Sequence, residues 1–305
     1  MALKFSDSKF FLGDTAFEDQ LIFPTDELPT VDYLAYKAHQ LRARFSHSYQ
    51  FQDGLTKFDR LQAYLLSKRD LLREQISSDL PVIFLMPQLS PSADEAGKLA
   101  FDLVTTLFPE LATSANCYLY PYGRASALMG MKRLDTLLEQ SQVTHVTIVA
   151  ADCSALSLTN EYVANDCLLL TRVAKSDVGV LIPWLKTEAQ LTTTEVGGAV
   201  SAIFSGYVTE IGSPVDQYCV THAAEEQRDE WLCSYQKLAK VLSPQTKTSF
   251  SNLFLGELGA ASGLFEVLNY YRQGVAQTSC DVGNRLQLDI SEYAYRSAAL
   301  LTWQG

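Results

Sequence analysis

Two short, continuous apolar runs restrict this chain more than any other feature. Residues 81–87 read PVIFLMP and residues 143–150 read VTHVTIVA. Runs of this length, closed off by prolines or polar turns, suit strands buried on both faces. Between them, residues 93–107 have the spacing of a helix and residues 116–120 (NCYLY) that of another strand. A turn at Pro121 and Gly123 leads into a helix over residues 124–140, with Leu128, Met131, Leu134 and Leu138 on its apolar side. The first turns of that helix hold Gly123, Ala125, Ser126, Ala127 and Gly130. Such small residues let a helix lie close against its neighbours, which predicts a central position. Upstream, Phe58, Leu61, Leu65, Leu66 and Leu72 predict a helix within residues 57–77. Residues 1–50 show no clean period.

This strand–helix–strand alternation predicts an α/β fold, a parallel sheet covered by helices. The alternation returns in the last third. Strands are expected at residues 207–211, 217–220 and 294–303, and a helix at residues 226–242 carrying Trp231, Leu232, Tyr235 and Leu238. Residues 256–274 (GELGAASGLFEVLNYYRQG) form a second small-residue lead into an apolar helix. Two helices of this kind in separate regions suggest a duplicated architecture, with halves at residues 1–205 and 206–305.

Composition narrows the function classes. Of 305 residues, 47% are hydrophobic and 19% charged, as in ordinary globular proteins. The net charge of −11 argues against a general nucleic-acid binder, because phosphates would repel it. No apolar stretch approaches the ~20 residues of a membrane span, and the N-terminal residues lack the pattern of a signal peptide. The six cysteines, Cys117, Cys153, Cys167, Cys219, Cys233 and Cys280, form no CxxC pair. A zinc site is therefore not expected, and a reduced, cytoplasmic setting is. His39 and His47 lack metal-binding spacing, and His145 reads as a core or interface histidine in an apolar strand. Phosphate-loop, dinucleotide and nucleophile-elbow motifs are absent, so no cofactor is expected. The acidic group Glu225, Glu226, Asp229 and Glu230 reads as a solvated helix start.

Three segments carry a family resemblance. Residues 123–155 (GRASALMGMKRLDTLLEQSQVTHVTIVAADCSA) resemble the central segment of thiolase-superfamily condensing enzymes, including the β-ketoacyl-ACP synthases. There a nucleophilic cysteine opens a buried helix, and the following strand ends in small residues and an acid. Residues 195–205 (EVGGAVSAIFS) resemble the family's glycine-rich segment before the last strand of the N-terminal half. Residues 256–263 (GELGAASG) resemble its GHxxGAAG motif. The order and spacing match over roughly residues 82–305. The resemblance implies a five-layered αβαβα fold of two similar halves. It also implies a dimer formed by strand pairing beside the nucleophile segment.

The same alignment shows what is missing. A condensing enzyme needs a thiolate at a helix N-terminus and histidines for decarboxylation and the developing oxyanion. Arg124 stands at the nucleophile position, and an arginine does not attack a thioester. Gly123 and Ala125 on either side are no better suited. Ser126 has no evident base, and Cys117 lies upstream within the strand as a core residue. Glu257 stands where a catalytic histidine belongs, and donates a hydrogen bond only when protonated. His222 falls near the family's HGTGT segment without its glycines and threonines. Glu230-Trp231 matches the turn-and-helix pattern of non-catalytic relatives. Arg124 and Glu257, at the starts of the two central helices, are expected to form a buried ion pair in place of the catalytic centre.

The resemblance therefore implies a degenerate, non-catalytic thiolase-like protein. Relatives of this kind occur beside type VI secretion effectors and adaptor chaperones. An accessory or adaptor role follows, with an effector, an adaptor chaperone or a second thiolase-like subunit as partner, in a homo- or heterodimer. The alternative is a diverged ketoacyl synthase, or the inactive, pocket-shaping subunit of a ketoacyl-synthase heterodimer in fatty acid or polyketide synthesis.

Overall fold

The computed structural model describes residues 1–13, 15–18, 55–153, 166–190, 197–221, 225–249, 257–276 and 282–305. In chain order the strands are β1 (Ala2–Leu12), β2 (Thr15–Glu18), β3 (Val82–Leu85), β4 (Cys117–Tyr120), β5 (Val146–Asp152) and β6 (Cys167–Ser176). They continue with β7 (Gly179–Ala189), β8 (Gln217–Thr221), β9 (Lys247–Ser249), β10 (Arg285–Ile290) and β11 (Tyr295–Gln304). The helices are α1 (Lys57–Ser67), α2 (Arg69–Gln75), α3 (Ala93–Leu107), α4 (Ser126–Leu138), α5 (Gly198–Glu210), α6 (Glu225–Ser234) and α7 (Ser262–Ala276).

Strand order exposes a duplication. The N-terminal strands lie in the order β4-β3-β5-β6-β1, and the C-terminal strands mirror them as β9-β8-β10-β11-β7. In each half the first three are parallel and the last two antiparallel to their neighbours. The helices repeat too: α4 joins β4 to β5, and α7 joins β9 to β10. The repeat divides the chain between Ser176 and Gly179, earlier than the division after residue 205 expected from sequence. The two sheets meet at one backbone pair, Leu3 with Val180. Gly179 sits at that seam, where a Cβ would fall 2.2 Å from the Leu3 carbonyl oxygen.

Three apolar cores lie between five layers, the middle one on both sides of the central helices. Outer helices α1, α2 and α3 cover one sheet through Leu61, Tyr64, Leu103 and Leu107, against Val82, Phe84 and Leu170. The opposite faces of those strands, with Ile83, Ile148 and Leu169, look inward onto α4 and α7. On the far side, Val200, Phe204, Tyr207 and Trp231 of α5 and α6 pack on Tyr218, Leu288 and Leu300. This alternation along single strands is why they read as unbroken apolar runs.

Several sequence expectations need correction. Residues 207–210 end α5 rather than form a strand, and the segment from Gly198 does not lead into the N-terminal half's last strand. Ala199, Val200, Ile203, Phe204 and Tyr207 are buried at helical spacing, and α5 covers the C-terminal sheet. The expected long helix over 226–242 closes at Ser234 and continues as a 3₁₀ turn, Tyr235–Leu238. His145 precedes β5 and is half-buried, its pKa lowered by burial and by Arg172. Strands β1, β6, β7 and β10 had no counterpart in the sequence reading. His39, His47 and Cys280 lie outside the described residues.

Close packing of the central helices rests on Gly263. A Cβ there would lie 2.4 Å from an Asp289 carboxylate oxygen and 2.8 Å from the Ala127 methyl. Gly263→Val is expected to destabilise the fold by about 1–3 kcal/mol or more, despite valine's better helix propensity. Urea denaturation with an unchanged m-value would confirm it, and a neutral effect would show that α4 and α7 are not in this contact.

Candidate functional site

The parallel strands of both halves point their C-terminal ends at one place, where α4 and α7 begin. Ligand and catalytic sites of α/β folds collect at such ends. Two equivalent turns build it. Gly123-Arg124-Ala125 and Gly259-Ala260-Ala261 are both 3₁₀ turns, each followed by a serine that opens the helix. Both glycines take positive φ, +61° and +52°, which favours glycine. A Cβ on Gly123 would strike Glu292, and one on Gly259 would strike Asp152.

Arg124 lies at the centre, 1% exposed along its side chain. Its Nε and Nη2 donate to Glu257 Oε1 at 2.9 Å each. Its Nη1 lies 3.2 Å from Glu292 Oε1 and 3.4 Å from the Ile290 carbonyl oxygen. The expected Arg124–Glu257 pair is therefore formed, with Glu292 as a third member. Burial opposes the charge on Arg124, and Glu257 and Glu292 more than offset it, so its pKa is raised. Burial pushes the Glu257 carboxyl up, against the pull of Arg124. Glu292, with its side chain 34% exposed, is held below the usual range, because Arg124 and Lys57 outweigh its desolvation.

A second pair adjoins the first. Lys57, the first residue of α1, places Nζ 2.8 Å from Asp152 Oδ1 at the end of β5. Asp152 Oδ2 accepts from the Ala260 N–H at 2.8 Å, just before α7. Burial raises the Asp152 pKa, and Lys57 works against that shift. Its negative charge favours the start of a helix, whereas the charge of Arg124 at the start of α4 does not.

Two serines beside the start of α4 are already bonded among the described residues. Ser126 Oγ accepts from the Tyr122 N–H at 2.9 Å and donates to the Tyr120 carbonyl oxygen at 2.7 Å. Ser291 Oγ accepts from the Ala125 N–H at 2.9 Å and donates to the Tyr122 carbonyl oxygen. The Ala125 N–H at the start of α4 is the kind of donor that binds an oxyanion in acyl-transfer sites, and here a serine takes it. Burial raises the thiols of Cys153, Cys167 and Cys219, and pushes that of Cys117 up to about 11. Thiols of this kind are poor nucleophiles at neutral pH. Among the described residues no His/Cys/Asp/Glu group has metal-binding geometry.

The chain spans most or all of several solved proteins of similar shape. An ishigamide ketosynthase/chain length factor matches with a TM-score of 0.55 and 18% identity over 83% of each chain. A histidine-to-aspartate variant of Xanthomonas campestris OleA matches over 99% of each chain, with a TM-score of 0.54 and 12% identity. AbyA1, a tetronic acid condensing enzyme, gives 0.51 and 13% over 84% of this chain and 89% of its own. The fold is the thiolase-like fold of condensing enzymes. No protein-family profile and no curated protein sequence matches the chain.

On the thiolase-like framework, Arg124 and Glu257 stand at the starts of the two central helices, as the resemblance implied. His222 lies outside the described residues. Glu230 departs from the solvated-cluster reading, since both its carboxylate oxygens lie 2.6 Å from Arg296 nitrogens. Arg296 also donates to the Ser291 carbonyl oxygen at 3.1 Å, which fixes the turn bearing Ser291 and Glu292. Sequence reasoning missed Lys57, Asp152 and Glu292 as site members. The repeated Gly-x-Ala-Ser at residues 123–126 and 259–262 was the available signal. Asp152 closing an otherwise apolar strand was a second.

Arg124→Met would leave Glu257 and Glu292 facing one another without their cation. A loss of about 3–5 kcal/mol is expected, with the double variant Arg124→Met/Glu257→Gln losing less than the sum of the singles. A double-mutant cycle by denaturant unfolding measures this, and strict additivity would mean that the pair is not coupled.

Proposed function

We propose that this protein works by binding rather than by condensation, as an accessory or adaptor built on a thiolase-like fold. The observation that carries the reading is the buried Arg124–Glu257–Glu292 group at the start of α4. By the sequence resemblance Arg124 stands where a condensing enzyme would hold its activated thiolate, and the contacts that support the reading are its burial against two carboxylates and the Ser291 bond to the adjoining Ala125 N–H. The partner we favour, following the sequence resemblance, is a type VI secretion effector, its adaptor chaperone or a second thiolase-like subunit, met in the cytoplasm. The cytoplasmic setting is supported by free thiols at Cys117, Cys153, Cys167, Cys219 and Cys233.

Assembly through β4 belongs to the same reading. In the described structure β4 is an edge strand, at the end of the order opposite β9, and Cys117 to Tyr120 are all half-buried. An edge of this kind offers unpaired backbone groups to a second strand. Light scattering on the purified protein is expected to give twice the chain mass, or a one-to-one mass with its partner subunit. A monomer under both conditions would remove this part of the proposal.

A second reading is favoured by the ketosynthase/chain length factor similarity. On that reading the chain is the silent half of a ketosynthase pair and shapes a pocket for its partner.

A native pull-down of the tagged protein separates the two. Recovery of an effector, an adaptor chaperone or a further non-catalytic thiolase-like chain supports the adaptor reading. Recovery of acyl carrier protein or a catalytic ketosynthase supports the second. In parallel, intact-mass analysis after incubation with acyl-CoA thioesters is expected to show no covalent acyl adduct. A stoichiometric adduct would overturn the non-catalytic assignment itself.

A further inference from the structure

Beneath the charged site, β10 presents a row of polar side chains to the central helices. Arg285, Gln287, Asp289 and Ser291 alternate with Leu286, Leu288 and Ile290, and all seven are buried. Arg285 is neutralised by Glu266 of α7 at 3.2 Å and bonds Gln217 of β8 at 2.7 Å. Among the described residues Asp289 has no such cation. Its side-chain partners among the described residues are Thr221 Oγ1 of β8 at 2.9 Å and Gln287 Nε2 at 3.0 and 3.1 Å. Its other carboxylate oxygen takes the space a Cβ on Gly263 of α7 would need, 2.4 Å from it, beside Ala127 of α4.

We propose that Asp289 is a proton-binding site that couples pH to the packing of the two central helices. A carboxylate wholly removed from water and without a cation in contact neutralises itself rather than bear the desolvation cost. The surrounding groups agree. Glu266 from α7 adds negative charge, Cys219 from β8 lies nearby as a protonated thiol, and Arg124 before α4 gives only a distant counter-effect. Gln287 works the other way: its Nε2 faces the carboxylate and also donates to the Gly263 carbonyl oxygen at 3.0 Å, which holds the amide in the orientation that suits the ionised form.

Burial raises the Asp289 pKa from 3.8 to about 7, and the bonds from Gln287 and Thr221 oppose the shift. Between those values the folded chain holds one proton more than the unfolded chain. The contribution to stability is complete below the lower value and is lost as pH rises through the upper one. One proton corresponds to about a tenfold change in the folding equilibrium per pH unit within the window.

The test compares urea denaturation of the unsubstituted protein and Asp289→Asn from about pH 4 to about pH 8. The ratio of their folding constants is expected to shift towards the variant by about tenfold per unit as pH rises through the window. A ratio that stays flat overturns the proposal. Should Asp289→Asn fail to fold, carboxyl ¹³C resonances of labelled aspartate give the same answer in the intact protein. One resonance is expected to titrate near neutral pH and to move higher in Thr221→Val, which removes a donor to the ionised form. If no aspartate whose midpoint responds to Thr221→Val titrates near neutral pH, the assignment fails.

Discussion

Everything at the heart of this protein depends on keeping the charge of Arg124 out of water. Burying a guanidinium is costly unless every face of it meets an acceptor. Its acceptors among the described residues come from the other half of the chain: Glu257, Glu292 and the Ile290 carbonyl oxygen. The arginine is satisfied only when the two halves are docked in this register. Two smaller exchanges cross the same boundary. Asp152 of the N-terminal half accepts from a backbone N–H just before α7, and Ser291 of the C-terminal half accepts from one just before α4. Each half thus caps the central helix of the other. This reciprocity gives the duplicated halves a reason to stay together beyond apolar burial.

The charge balance of this group has consequences for the rest of the site. Arg124 and Lys57 face Asp152, Glu257 and Glu292, an excess of one negative charge if all are ionised. Burial raises the Asp152 and Glu257 carboxyls, whereas Glu292, nearer water, stays low. The excess is relieved where desolvation is greatest. Among the described residues, Ser126 and Ser291 donate to backbone carbonyls and Ser291 takes the Ala125 N–H, so Ser291 too is drawn into holding the halves together.

Much of this was legible in the sequence. Runs 81–87 and 143–150 gave strands because Val82–Leu85 and Val146–Asp152 are buried on both faces and so carry no polar alternation. The helix at Ala93–Leu107 followed from spacing, and the small residues leading into α4 and α7 marked both as central. Other elements were hidden for physical reasons. Residues 207–210 mix apolar and β-favouring types, and only their packing on the C-terminal sheet selects a helix. Strand β10 alternates Arg, Gln and Asp with leucines, which reads as a solvent-facing strand. Its polar face is in fact buried against α7.

The sequence by itself determined the α/β class and the two small-residue helices, and set Arg124 at the lead into the first of them, because these are properties of local spacing and residue type. Only the tertiary structure decided where the halves divide, and that Lys57, Asp152 and Glu292 join Arg124 and Glu257. Those side chains are separated by up to hundreds of residues, and no local period records which distant charge will neutralise which. Their meeting is fixed by the docking of two sheets across α4 and α7, a constraint that exists only once the chain has folded.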